Sequence, residues 1–299
     1  MARWLVALSL KLNLFLCLCL FCTGVFAWGK DGHRVVGVVA DNHLTAKARI
    51  AMRKIMQSDS LADIANWMDE VRNTPEGDAM KPWHFESVDI CTRQHAPCLH
   101  DQCASKQIEK AVQTLKTSSS PPEQLQALRV LVHLVGDIHQ PLHSAENGGD
   151  HGANAVKLLN RPVCLDYSTK KPGACNLHQY WDNTLVRKAM LGQSEKQFAL
   201  GLVNKISTVN RASGELDAGN VGNVGHTDNA PQIATWISAA NALAKSTAYN
   251  YSTFACHAGA AEVTLSDSYD KAALAVVQQQ LGLAGVRLAS ILNGIFGLR

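Results

Sequence analysis

Apolar side chains recur every three to four residues along several stretches of the chain, the spacing of helices that bury one face. The clearest run is Leu125, Leu128, Leu131, Val132, Val135 and Ile138. Ser120, Pro121 and Glu123 precede it as N-cap, first-turn proline and third-position acid, and Pro141 stands just past its end. Ser60–Asp63 forms a second such cap, predicting a helix through Trp67 and Arg72. Asn176 is placed to cap a third, through Tyr180, Trp181, Leu185 and Val186. Ala234–Ser246 and Lys271–Ile295 also carry the helical period. Strand patterns are scarce: Ala155–Leu159 and Val163–Tyr167, separated by Asn160-Arg161-Pro162, predict one hairpin. The expected fold is mainly α, a single compact helical domain with a small β-hairpin. The amphipathic tail after Tyr269 is expected to pack into the core rather than lie on a membrane.

The first 27 residues break this pattern. Arg3 and Lys11 flank an apolar run, Leu12–Cys22, and Val25-Phe26-Ala27 follows with small residues at the cleavage positions. That is the layout of a secretory signal peptide, and the run is too short for the roughly 20 residues that span a bilayer. The expectation is a signal at 1–27, a folded domain at 28–299, and a secreted or periplasmic location. Six cysteines then remain, at 91, 98, 103, 164, 175 and 256. An even number in an exported chain points to as many as three disulfides of open pairing. None forms a C-x-x-C pair, which argues against a thiolate zinc site.

Composition adds limits. The 299 residues are 46% hydrophobic and 18% charged, with 9 Pro and 21 Gly, which excludes a disordered chain, a collagen-like fibre and a multi-span membrane protein. The net charge of +3 is too small to mark a polyanion-binding surface. Twelve histidines, however, require an explanation.

Some of them supply it. His133 and Asp137 lie four apart on the capped helix and share one face. Pro141 ends that helix, so His143 can fold back near its last turn. His178 and Asp182 repeat the four-residue spacing on the helix capped by Asn176. Burying His and Asp among Leu and Val is costly unless they pair or coordinate a metal, and neutral imidazole with carboxylate suits zinc. Removal of the signal would also free the amine of Trp28, which can chelate a metal together with its own carbonyl oxygen. His33 follows closely in Trp28-Gly-Lys-Asp-Gly-His33.

Five motifs together carry a resemblance: Trp28-Gly-x3-His33, Asn66-Trp67-Met-Asp69, Trp83-His84-Phe85, His133-x3-Asp137-x3-Pro141-Leu-His143, and His178-x3-Asp182. In order and spacing the chain resembles the zinc-dependent single-strand nucleases typified by nuclease S-one and nuclease P-one, relatives of bacterial zinc phospholipase C. The resemblance implies a phospholipase C/nuclease-like helical fold holding three zinc ions. One zinc would be held by Asp69, His84, His133 and Asp137, and a second by His143, His178 and Asp182. The third would sit on the Trp28 amine and carbonyl, His33 and a bridging Asp137. The implied reaction is in-line attack of zinc-activated water on phosphorus, with Asp69 orienting the nucleophile and Arg72 neutralising a phosphate oxygen.

The family's Gly-Gly-Asn turn reads Gly148-Gly149-Asp150-His151-Gly152-Ala153-Asn154 here, which assigns the role to Asn154 with Asp150 as rival. Phe85 matches the ring that stacks a nucleobase, but Ser87 replaces the Asp expected to read the base edge, with Asp89 two further on. His139 and His151 would stand close to the cluster, and Asn250-Tyr-Ser is a glycosylation sequon. The implied substrates are single-stranded DNA and RNA and mono- and oligonucleotides, cut to 5′-nucleotides, with a monomer and no stable protein partner. A phospholipase C-like lipase and a non-catalytic zinc binder are the alternatives, and Asp182, where the lipase pattern has Glu, favours the nuclease.

Overall fold

A computed structural model of the chain describes residues 28–161, 164–166, 171–213 and 230–297. The signal peptide expected at 1–27 and the expected strand start at Val163 lie outside the described residues.

The long helices surround one apolar core. Helix α1 (Lys30–His43) packs along the C-terminal helix, whose range is Tyr269–Phe296. The two backbones approach closely because position 285 is glycine: a Cβ there would stand 2.4 Å from Val39 Cβ. The C-terminal helix buries Val277, Leu281, Leu288 and Leu292, so the tail is a core helix as expected. Among the described residues no helix is long and apolar enough to cross a membrane. Helix α2 (Ala46–Met56) follows α1, capped by Thr45.

The helix expected from Ser60 forms in two pieces, a 3-10 turn Leu61–Asp63 and a short helix α3 (Trp67–Glu70). Ser60 caps the turn through Ala62 N–H. The break has a cause: the Ala65 carbonyl accepts a hydrogen bond from His133 Nδ1 at 2.8 Å. Helix α4 (Pro75–Met80) leads into a 3-10 turn, Lys81–His84. Helices α5 (Ala104–Thr117) and α6 (Pro121–Asp137) form an antiparallel pair. Pro121 and Pro122 occupy the start of α6, but Ser120 makes no side-chain cap. Two prolines remove two of the N–H groups a cap would serve. Instead Glu123 accepts from Ser118 Oγ at 2.7 Å.

The strands pair differently from the expected hairpin. Strand β1 (Val156–Leu158) pairs in parallel with β4 (Ala261–Val263), while β2 (Cys164–Asp166) pairs antiparallel with β3 (Lys171–Gly173). Both edges of β1 are already taken. Leu159 N–H donates to Val263 O and Leu158 N–H to Cys175 O, each at 2.9 Å. The Asn160 side chain clamps Leu265 by both amide atoms, carrying the chain toward 265 rather than back along β1. The architecture is still mainly α with a small hairpin.

Past β3, Asn176 caps the next helix as expected, accepting from Gln179 N–H at 2.8 Å. It runs as α7 (Leu177–Gln179), a π segment Tyr180–Leu185, and α8 (Val186–Met190). Helices α9 (Glu195–Ser213) and α10 (Ala230–Leu243) precede a second π segment, Ala244–Ala248. The C-terminal helix is α11. Three disulfides form: Cys91–Cys256, Cys98–Cys103 and Cys164–Cys175.

Candidate metal centre

Three elements converge on one buried site: α1 brings His33, the last turns of α6 bring His133 and Asp137, and the π segment brings Asp182. Shorter segments bring the rest, with Asp69 on α3, His84 at the end of a 3-10 turn, His143 in the turn after Pro141 and His178 on α7. Close entry is possible because residue 136 is glycine; a Cβ there would stand 2.9 Å from His33 Nδ1.

These side chains fall into three groups able to hold an ion: His33, Asp69 and His133; His84, His133 and Asp137; and His143, His178 and Asp182. The sequence expectation put His33 with Asp137, which it also reaches, Nε2 standing 3.2 Å from Oδ1. Asp137 Oδ2 is 3.0 Å from His84 Nδ1 and 3.5 Å from His133 Nε2, so its two oxygens serve different neighbours. In the third group His178 Nε2 stands 3.0 Å from His143 Nε2 and 3.4 Å from Asp182 Oδ2.

The tautomers follow from the outer partners. His133, His143 and His178 each donate Nδ1–H to a backbone carbonyl, of Ala65, His84 and Gly152 respectively. Each therefore turns a lone pair on Nε2 into the site. Two such lone pairs face each other between His143 and His178, an arrangement that repels unless a cation lies between. Donors about 2.1 Å from a tetrahedral ion stand about 3.4 Å apart, close to the separations found here.

The electrostatics agree. Burial pushes His133 down to about 3, and burial together with neighbouring imidazoles holds His33 and His84 well below the usual histidine range. Burial drives Asp69 up to about 7 and Asp137 and Asp182 well above the ordinary carboxylate range. Both Asp69 oxygens, Asp137 Oδ1, Asp182 Oδ2 and both His33 nitrogens are buried without a hydrogen bond. Donor type, spacing and unmet polar atoms fit divalent cations of the zinc class.

Other expected residues fall as follows. Trp28 is fully buried beside the centre, and the Gly29 N–H that follows it donates to Asp182 O at 2.9 Å. Arg72 is buried with Nη1 3.7 Å from Asp69 Oδ1. Phe85 is 37% exposed, so it is not a core ring. Asn154 donates Nδ2–H to His151 O at 2.8 Å. Its rival Asp150 is fully buried and spent on the turn, accepting from Asn147 N–H and Tyr249 Oη–H. Asp89 is likewise occupied, accepting from Cys91 N–H, Thr92 N–H and Thr92 Oγ1–H. His151 is exposed, and His139 spends both ring nitrogens outside the centre, on Val135 O and Arg287. Sequence reasoning missed Gln140, fully buried with Nε2 2.6 Å from Asp182 Oδ1. Its only signal was its place between His139 and Pro141.

Comparison with known proteins agrees with this geometry. A family model described as S1/P1 Nuclease matches residues 28–297. Nuclease S1 of Aspergillus oryzae is 28% identical over 286 residues, covering 90% of this chain and 91% of that protein. Nuclease P1 of Penicillium citrinum is 29% identical over 286 residues, covering 90% and 98%. Endonuclease 4 of Arabidopsis thaliana is 25% identical over 297 residues, covering 91% and 90%.

Proposed function

Because the chain belongs to the S1/P1 nuclease family, and is therefore a phosphodiester hydrolase, we propose that it cuts single-stranded DNA and RNA to 5′-nucleotides at three zinc ions. We extend the reading to 3′-nucleotidase activity at the same site. The observation that carries it is the set of buried imidazole nitrogens and carboxylate oxygens that face one another, several of them without a hydrogen bond.

Asp69, His84, His133 and Asp137 would hold one zinc, and His143, His178 and Asp182 a second. The terminal amine and carbonyl of Trp28, with His33 and Asp137, would hold a third once residues 1–27 are removed. Bound zinc supplies Lewis acidity and water ionised at neutral pH. The chain's own groups do the rest. Asp69 accepts the proton of the attacking water and orients it. Arg72, held beside Asp69, presents a planar guanidinium to a phosphate oxygen. Asn154 has a second amide N–H for the same group. Phe85 offers an exposed face on which an unpaired base stacks, and stacking tolerates any base sequence. The near-neutral net charge suits a site whose positive charge comes from ions rather than lysines. Three disulfides suit a secreted or periplasmic protein.

Metal analysis beside a two-substrate assay tests the reading. The expected result is bound zinc with turnover of single-stranded RNA and none of phosphatidylcholine vesicles. Turnover of the vesicles alone would make the chain a lipase of the phospholipase C type. Zinc uptake with neither turnover would make it a metal-binding protein only.

A further inference from the structure

Gln140 stands three residues after Asp137 and three before His143, at the turn that joins two sets of ligands, and it is fully buried. Its backbone fixes that turn: Gln140 N–H donates to Asp137 O at 2.9 Å, and Gln140 O accepts from His143 N–H at 3.0 Å. Its side chain is fixed as well. Oε1 accepts from Leu142 N–H at 2.7 Å, and Nε2 donates to Asp182 Oδ1 at 2.6 Å. The amide cannot be turned over, because a flip would face nitrogen against the Leu142 N–H and oxygen against the carboxylate. Asp182 is thereby divided. Oδ1 is held by the amide, and Oδ2 remains beside His178 Nε2 with no hydrogen bond of its own.

We propose that Gln140 is a positioning residue that makes Asp182 a one-oxygen donor in the His143–His178–Asp182 group and sets the zinc affinity of that group alone. The inference rests on the metal reading above. An amide suits the task because it is neutral: it orients the carboxylate without competing with an ion for its charge, as lysine or arginine would. It also bars Asp182 from closing on an ion with both oxygens. Outer hydrogen bonds of this kind change metal affinity by roughly 10–100-fold when removed.

Two variants separate positioning from structure. Gln140→Met keeps the volume and loses both hydrogen bonds. Gln140→Asn still offers an oxygen to the N–H two residues on, as Asn side chains do, but is one methylene short of Asp182. Zinc-loaded wild type and both variants are titrated with a chromophoric chelator, and each is melted in excess EDTA. Both variants are expected to release one zinc with roughly 10–100-fold weaker affinity while the others hold. Gln140→Asn, which keeps the bond to Leu142 N–H, is expected to melt closer to wild type in EDTA than Gln140→Met does. The proposal is overturned if Gln140→Asn keeps every zinc as tightly as wild type. It is also overturned if all the zinc weakens in step with a lower EDTA melting temperature. Wild type that takes up no zinc would instead remove the metal reading itself.

Discussion

His133 and His139 are six residues apart, equally buried, and alike in half of their bonding. Each donates Nδ1–H to a carbonyl, His133 to Ala65 at 2.8 Å and His139 to Val135 at 2.7 Å. Burial pushes both down to about 3. They part at Nε2. That atom of His139 accepts from Arg287 Nη1 at 2.7 Å, and the guanidinium also lies over the Trp236 ring. Nε2 of His133 instead faces the side chains of the candidate centre, His84 Nδ1 at 3.1 Å, Asp137 Oδ2 at 3.5 Å and Asp69 Oδ1 at 3.8 Å. A buried imidazole is therefore no sign of a metal by itself. What faces its second nitrogen decides: Arg287 meets one ring, while the other belongs to a group of side chains able to hold an ion.

The contrast breaks most sharply at Asp137, which touches His33, His84 and His133. Asp137→Ala is expected to lower kcat/KM by on the order of a thousandfold or more and to reduce bound zinc. Full activity and full zinc content in that variant would show that the carboxylate is not shared. At the other ring, His139→Ala takes the acceptor from half-buried Arg287 and is expected to cost about 2 kcal/mol of stability with zinc content unchanged, read by denaturant unfolding and metal analysis. Loss of zinc there would erase the distinction between the two histidines.

The smallest effect, when read over a single pH unit, is one of pH. The His139 pKa is about 3 in the folded protein against about 6.5 unfolded, so only the unfolded chain takes up this proton as the pH falls below 6.5. The stabilisation is complete above that pH and drains away on acidification toward 3. His139→Gln keeps a donor and an acceptor but cannot titrate. Below pH 6.5, wild type is expected to lose about 1.4 kcal/mol per pH unit relative to this variant. Parallel stability curves would show that His139 takes its proton in the folded state too.

The helical framework and the two His-x3-Asp pairs were legible because local spacing sets a helical face. The cap at Asn176 was legible for the same reason. Asp69 and His84 come from separate elements with no shared period, and only the family resemblance placed them among the ligands, whereas His33 was marked by its place close behind the Trp28 amine. The pairing of Val156 with Ala261 was hidden because parallel partners so far apart leave no turn signal between them. The Ser60 helix failed as one piece because a distant imidazole claims the Ala65 carbonyl, a contact no local pattern encodes. Gln140 was invisible for a related reason: one glutamine in a short turn carries no period, and its meaning comes from Asp182, 42 residues on.

The Cys91–Cys256 bridge spans 165 residues, and five of the donor side chains, from His133 to Asp182, lie inside that span. Closing a loop of that size removes about 5 kcal/mol of freedom from the denatured chain in the entropic account. An oxidised molecule stripped and denatured by acid thus keeps those five residues tethered within one ring, a covalent memory of where they belong. Refolding of the oxidised chain starts with those five residues inside one closed loop, whereas a reduced chain must gather them from the full breadth of a random coil.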